Sequence, residues 1–177
     1  MPLGDLSFSI SGERKSGLLA PTFSVNSKLG ADLTVPYYLN IAPNRDLTLY
    51  PRLVGRRGAQ IGADLRLLGK SHRSEFGIQI LPADKIAKED RWLGKLNSTY
   101  HFSKKKLVSI NLTRVSDNDY FADFGASVLA ASQRILPTTL QFSGEQGGWN
   151  YTGAYQGYQV LQDPGAPILP PYEWSPK

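Results

Sequence analysis

Cysteine is absent from the 177 residues of the sequence. These residues therefore cannot supply a disulfide framework, a thiolate metal site or a thiol nucleophile. Long apolar runs are also missing, because no stretch reaches 18 residues; this excludes a membrane-spanning helix but leaves a barrel of spanning strands open. The opening residues, Met1 to Asp5, have neither the charged nor the apolar region of a secretory signal. If the protein is exported, we therefore expect this chain to be a segment of a longer one.

Concentrated charge of one sign is missing as well. Twenty Lys and Arg against 15 Asp and Glu give a net charge of +5, but the basic residues are dispersed, so no nucleic-acid partner is expected. The two histidines, His72 and His101, have no nucleophile or metal ligand at a useful spacing. We therefore expect neither an enzyme nor a cofactor or metal site. A small closed barrel that uses His101 as a base is the remaining enzymatic alternative.

The sequence does contain a strong alternation of apolar and polar residues, which places successive side chains on opposite faces of a sheet. For example, Ala59, Ile61 and Ala63 alternate with Gln60 and Gly62. Eight segments bounded by turn residues have this pattern: 29–37, 47–53, 59–67, 75–80, 92–102, 108–113, 136–143 and 149–156. No convincing amphipathic helix lies between them. The predicted fold class is all-β, with about eight antiparallel strands.

Strand length and the placement of aromatic residues favour a transmembrane β-barrel segment over a soluble sandwich. Several runs reach about 9 to 11 residues, enough to cross a bilayer with a tilt, whereas soluble strands have about 5 or 6. Aromatic residues such as Tyr37, Trp92 and Trp149 gather near strand ends, as interfacial girdles do. A soluble β-sandwich that binds carbohydrate through exposed aromatic residues is the main alternative.

The opposite face of the predicted strands is mostly neutral and hydrogen-bonding. If hydrocarbon covers the apolar face, this polar face lines a water-filled lumen, and its cations could bind phosphate. Any polar barrel lumen would have a similar composition. The lumen-facing candidates are Arg52, Arg66, Lys95, Asn97, Asn111 and Gln141.

Three carboxylates lie close together in the connection 116–127. Asp117, Asp119 and Asp123 offer the hard oxygen ligands that Ca²⁺ prefers, but they lack the glycine and the final glutamate of a standard calcium loop. A loop that caps itself through Asx turns is the simpler interpretation.

Eight blocks of the sequence carry a further signal: residues 14–21, 35–52, 57–60, 65–68, 81–85, 115–117, 120–123 and 155–159. In their residues and in their order, these blocks resemble the start of the barrel in the LptD family. The resemblance implies that residues 1–13 end a periplasmic jelly-roll domain and that residues 14–177 form the N-terminal part of an outer-membrane barrel. It also implies a translocon that inserts lipopolysaccharide into the outer leaflet.

The same resemblance implies partners and a route. The expected partners are lipopolysaccharide, the plug lipoprotein LptE, the periplasmic Lpt bridge protein and the barrel-assembly machinery. Pro36 and Pro51, predicted within the first two strands, match prolines associated with a lateral gate. Counting the predicted strands from a periplasmic jelly roll puts the long connections 82–90 and 116–127 on the periplasmic side, where bacterial barrels usually have short turns.

Overall fold

The structure, a computed structural model, describes residues 14–125 and 128–162. The predicted end of a jelly roll at residues 1–13 lies outside the described residues. The strands are β1 (Gly17–Leu18), β2 (Thr22–Asn26), β3 (Gly30–Thr34), β4 (Tyr37–Ala42), β5 (Arg45–Val54), β6 (Gly58–Leu68), β7 (His72–Leu81), β8 (Arg91–Ser103), β9 (Lys106–Val115), β10 (Ile135–Gln146) and β11 (Trp149–Val160). Two short helices, α1 (Tyr120–Phe124) and α2 (Val128–Ala131), lie between β9 and β10.

All these strands belong to one antiparallel sheet, in which neighbours from β4 to β11 are consecutive along the chain. The all-β antiparallel class predicted from the alternation is therefore confirmed. The strands β1 and β11 stand at opposite ends of the strand order, so the described sheet does not close on itself. No helix among the described residues is long and apolar enough to cross a membrane.

The first two strand positions of the sheet are each divided into two halves: β1 and β2 share one position, and β3 and β4 share the next. β3 and β4 both pair with β5 in one continuous register, and the interruption between them is Val35 and Pro36. β1 pairs with β4 and β2 with β3, with a one-residue shift in register between the two pairs. The eight predicted strands are all present, and the β1–β2 strand is an additional one. Its pattern was missed because Pro21 and the shift in register break the alternation.

This division corrects the predicted position of Pro36. It was predicted inside a strand, but it lies in the interruption between β3 and β4, whereas Pro51 lies inside β5 as predicted. The two prolines are the physical reason, because Pro51 cannot return the hydrogen bond that it accepts from Val35, and Pro36 cannot return the one that it accepts from Leu19.

The two ends of the sheet differ in the length of their connections. At one end, called here the short-turn end, the turns 43–44, 69–71, 104–105 and 147–148 have two or three residues. Gly147 and Gly148 both have positive φ, 60° and 80°, as a type I′ hairpin requires. The other end, called the long-loop end, has the connections 27–29, 55–57, 82–90 and 116–134.

One face of the sheet is apolar and has no second layer among the described residues. On β7, the alternate residues Phe76, Ile78 and Ile80 are 42%, 46% and 38% exposed. A soluble sandwich would bury such a face under a second sheet. The described part of the chain contains one sheet only, which does not support the sandwich alternative.

The packed core lies at the long-loop end, on the opposite, polar face. Its buried apolar residues are Leu93, Val115, Tyr120, Phe121, Leu136 and Leu161. The helix α1 supplies the two aromatic members and rests against β8. The sequence predicted no convincing amphipathic helix between the strands, and these two helices, with five and four residues, are too short for sequence periodicity to reveal them.

Candidate functional site

The first seam of the candidate site is the boundary between β5 and the interrupted strand β3–β4. The amide of Val35 donates to the carbonyl of Pro51 at 3.0 Å. In an antiparallel ladder such a pair normally exchanges two hydrogen bonds, but Pro51 has no N–H to return the second. One ladder hydrogen bond is therefore missing at the middle of this seam.

Pro36 has the same effect on the next seam, between β4 and the edge strand. The amide of Leu19 donates to the carbonyl of Pro36 at 2.9 Å, and Pro36 cannot donate in return. The pairing of β1 with β4 covers only Gly17 and Leu18. Two neighbouring seams at the start of the sheet are thus each weakened by one proline.

A side-chain ion pair spans the first seam on the polar face. Arg52 of β5 donates from Nε and Nη2 to the two carboxylate oxygens of Asp32 on β3, at 2.8 and 2.6 Å. Its Nη1 donates to Gln60 at 3.0 Å. This pair holds β3 against β5 one residue away from Pro51, where the ladder bond is missing.

The six lumen-facing candidates all lie on the polar face. Three of them, Arg66, Asn97 and Asn111, belong to a row of cross-strand neighbours that crosses the sheet at one level. The row is Asn40, Asp46, Arg66, Glu75, Asn97, Asn111, Thr139 and Gln156. Lys95 faces Gly77 and Thr113, and Gln141 faces Ser109, on the same side of the sheet. Arg52 faces Gln60, also on this side.

A buried cluster of charges at the long-loop end was not predicted. Arg91, 1% exposed, binds Asp117 through Nε and Nη2 at 2.9 and 2.6 Å, and Asp123 through Nη1 at 2.6 Å. Arg57 binds Asp84 and Asp123, each at 2.8 Å. Arg91 also lies 3.4 Å from Asp84. Together these five residues form the ion cluster, which ties the connections 82–90 and 116–134 to the polar face.

The aromatic residues of α1 pack onto the same charges. The ring of Phe124 lies 5.8, 5.2 and 5.1 Å from the guanidinium carbons of Arg52, Arg57 and Arg91. Such distances are within the range of cation–π attraction. The hydroxyl of Tyr120 donates to Gln79 at 3.0 Å and accepts from Gln60 at 3.3 Å. The helix is therefore fixed on the polar face by rings, amides and cations together.

The ionisation of the loop residues follows from these contacts. Burial alone would raise the pKa of Asp84, but the backbone N–H of Ile86 and the Arg57 guanidinium outweigh it and lower that pKa. Burial likewise opposes ionisation of Asp117, and the hydrogen bond from Arg91 lowers its pKa overall. Burial raises the pKa of Tyr120 to about 12.

The calcium interpretation of the acidic residues is not supported. Asp117 and Asp123 bind Arg91, and the amide of Asp119 donates to Asp117 at 3.0 Å, which is the Asx turn. Among the described residues no group of His, Cys, Asp or Glu could hold a metal ion. The aspartates are visible in the sequence, but their function is ambiguous there, because Arg91 precedes Asp117 by 26 residues and no local pattern connects the two.

A sheet with one apolar face and one polar, hydrogen-bonding face, interrupted by prolines at its first seams, is a segment of a barrel wall. The family model described as "LptD: LPS transport system D" matches residues 89–177. The chain belongs to the LptD family.

Individual relatives agree with this assignment. A Ralstonia nicotianae protein, LPS-assembly protein LptD, is 39% identical over 170 residues, which cover 96% of this chain and 21% of that protein. Proteins of the same name from Bordetella avium and Nitrosospira multiformis are 40% and 38% identical, covering 97% of this chain and 22% and 19% of their own lengths. The chain thus spans about a fifth of the length of the relatives it matches.

Proposed function

We propose that this chain forms the first part of an outer-membrane barrel that delivers lipopolysaccharide to the outer leaflet. The observation that carries the proposal is the single-layer sheet whose apolar face stays exposed while the opposite face is polar. Hydrocarbon against one face and water against the other is the environment that satisfies both. The relatives are LPS-assembly proteins, and this supports lipopolysaccharide as the substrate.

The aromatic residues support this position in the membrane. Trp92 and Tyr100 lie on the apolar face of β8, eight residues apart, and are 43% and 42% exposed. Eight residues of strand are about 27 Å long, or about 20 Å along the membrane normal at a tilt of about 40°. The two rings would therefore lie near the edges of an apolar band about 25 Å tall.

The length of the connections supports an orientation. Bacterial barrels have short periplasmic turns and longer extracellular loops, so the short-turn end belongs in the periplasm. The additional strand β1–β2 agrees with this, because it runs from the short-turn end to the long-loop end and so begins on the periplasmic side. The strand count from the sequence did not include β1–β2 and therefore put the long connections on the periplasmic side. With this strand counted, the same connections fall on the outer side.

In this arrangement the sugars pass along the polar face and the acyl chains leave sideways through the weakened seams. Pro36 and Pro51 are the lateral-gate residues, since each removes one ladder hydrogen bond from a neighbouring seam. Arg52, Arg66, Lys95, Asn97, Asn111 and Gln141 line the lumen. The chain acts in transport and not as an enzyme.

The partners follow from membership of the family. We include the plug lipoprotein LptE, the barrel-assembly machinery and the periplasmic Lpt bridge protein, which would meet a jelly roll formed in part by residues 1–13. The open edges at β1 and β11 require further strands to close the wall, because unpaired backbone groups are not tolerated in lipid.

The test is to restore the missing donors. In a full-length LptD-family protein that carries this segment, Pro36→Ala with Pro51→Ala should add two ladder hydrogen bonds, each worth about 0.5–1.5 kcal/mol. We expect a tighter seam and slower appearance of newly made lipopolysaccharide at the cell surface, measured by pulse labelling and membrane fractionation. The matched control is Pro43→Ala in the turn 43–44, where no ladder bond is at stake. Unchanged delivery in the double variant would contradict the gate.

A further inference from the structure

The cations of the polar face are neutralised unequally at its two ends. At the long-loop end, Arg57 and Arg91 share three carboxylates, those of Asp84, Asp117 and Asp123. Arg52 nearby is bound by both oxygens of Asp32. These guanidiniums have strong internal partners, so this end has little capacity to bind another anion.

At the short-turn end, one carboxylate serves two arginines. Arg66 donates to the two oxygens of Asp46 at 2.7 and 2.9 Å, and Arg14 reaches the second oxygen at 3.4 Å. The hydroxyl of Tyr38 donates to that same oxygen at 3.3 Å. Asp46 is only 3% exposed, so its acceptor capacity is used up within the protein. It holds the two arginines in place without cancelling their combined charge.

A third arginine joins them on the next strand. Arg73 uses its Nε and Nη2 on a single oxygen of Glu75, at 3.3 and 2.8 Å. Among the described residues, the Nη1 groups of Arg66 and Arg73 have no carboxylate partner. The side chains of Arg14, Arg66 and Arg73 are 63%, 58% and 73% exposed, so these donors can reach a ligand.

The three arginines surround a cavity of about 210 Å³. Arg45, Asn44 and Ser74 also line it, and its carboxylates are those of Asp46 and Glu75. Arg45 is in register with Leu67, so its side chain lies on the apolar face, and three guanidiniums against two carboxylates leave one positive charge at the cavity. A phosphate monoester carries about −1.5 to −2 charges and accepts several charge-assisted hydrogen bonds, so the free donors of Arg66 and Arg73 favour it.

We propose that Arg14, Arg66 and Arg73 form a phosphate-binding site at the short-turn end of the polar face. The inference rests on the proposed function, under which this end is where the substrate enters from the periplasm. The ligand is a phosphate monoester on the saccharide of the transported lipid. Binding there places the headgroup on the polar face before it reaches the ion cluster, whose neutralised arginines do not retain it.

The site can be tested by crosslinking in a full-length LptD-family protein that carries this segment. A photo-crosslinking residue replaces Asn44, which lines the cavity, and in a second protein replaces Asn111, which lies elsewhere on the polar face. The probes are purified lipopolysaccharide and the same lipopolysaccharide after phosphatase treatment. Arg66→Gln with Arg73→Gln should reduce crosslinking at position 44 at limiting probe by about tenfold, equivalent to about 1.4 kcal/mol. Phosphatase treatment should reduce it similarly in the parent protein.

Three comparisons make the result specific. Lys85→Gln with Lys88→Gln removes the same number of positive charges at the long-loop end and should leave the crosslinking at position 44 unchanged. Vesicles of phosphatidylglycerol should compete poorly, because a phosphodiester carries one charge; strong competition would assign the site to membrane phospholipid and overturn the proposal. Arg66→Lys with Arg73→Lys keeps the charge but loses the fork geometry and should give an intermediate loss.

The outcomes also separate the two proposals. Two results would overturn the phosphate site alone. One is crosslinking at position 111 but not at position 44; the other is crosslinking at position 44 that neither phosphatase treatment nor replacement of the arginines changes. If neither position crosslinks to lipopolysaccharide, the proposed transport function itself fails.

Discussion

Replacement of Arg91 by methionine should release the long loops from the polar face. The substitution keeps much of the side-chain volume but removes a guanidinium that binds Asp117 and Asp123 and lies near Asp84. Among the described residues, Arg57 is then the only cation left in the ion cluster; it binds Asp84 and Asp123, while Asp117 loses its arginine at a site where Arg91 is 1% exposed. Breaking a buried ion pair by removing one partner typically costs about 3–5 kcal/mol. The loop 116–134 should lose stability by about this amount.

Native-state hydrogen exchange of the full-length protein in detergent measures this loss directly. Amides of residues 117–125 should exchange about two to four orders of magnitude faster in Arg91→Met, because each 1.4 kcal/mol corresponds to about tenfold. Lys105→Met is the control, since the Lys105–Glu145 pair is largely exposed and such pairs are worth about 0–1 kcal/mol. Adding Asp117→Leu to Arg91→Met should recover part of the protection. Equal protection in Arg91→Met and the parent would refute the role of the cluster.

Three further predictions concern the faces of the sheet and the loop. Leu96→Lys should destabilise the membrane-inserted barrel by about 2–4 kcal/mol in urea titrations, whereas Asn97→Lys, one residue away on the polar face, should have little effect. The pKa values of Asp84 and Asp117 are lowered in the folded loop, so their stabilisation is complete above about pH 4 and disappears as the pH falls through the lowered values; limited proteolysis of 116–134 should detect this. Because the pKa of Tyr120 is raised to about 12, its stabilisation should be lost between about pH 10 and 12, and the difference between the absorbance titrations of the parent and Tyr120→Phe should show this late ionisation.

The alternation in the sequence was sufficient to predict which residues share a face. Leu96 and Asn97 are assigned to opposite faces by period two alone, and the register of β8 with β9 agrees. At Pro21 the strand β1–β2 was missed, whereas at Pro36 the alternation continues through 29–37 although the ladder is interrupted between β3 and β4. A proline removes a donor but leaves the chain extended, so the alternation does not reveal where the ladder is interrupted.

The ion cluster could not be predicted for a different reason. Its members come from the β5–β6 turn, two loops and the start of β8, and its contacts shorter than 3 Å all join residues at least 26 positions apart. No periodicity connects such positions, and each arginine or aspartate alone reads as a solvated surface residue. Only the folding of α1 onto the polar face brings them together.

The first seam is held on its polar side by an ion pair where the backbone ladder is incomplete, and this leads to a prediction opposite in sign to the proline variants. Asp32→Asn preserves the shape of the side chain but removes the charge that binds Arg52 at 2.8 and 2.6 Å. Hydrogen bonds to charged groups contribute about 1.5–3 kcal/mol, so the seam should open more easily and admit large antibiotics across the outer membrane.

Combining Asp32→Asn with Pro51→Ala should return antibiotic uptake toward that of the parent, because the added ladder bond and the lost ion pair act on the boundary of β3–β4 with β5 with opposite sign. Uptake that is normal in Asp32→Asn, or that stays high in the combined variant, would mean that the Arg52–Asp32 pair does not hold the seam. The polar face and the backbone ladder would then be independent, and a gate controlled by the prolines alone would have to account for the closed state.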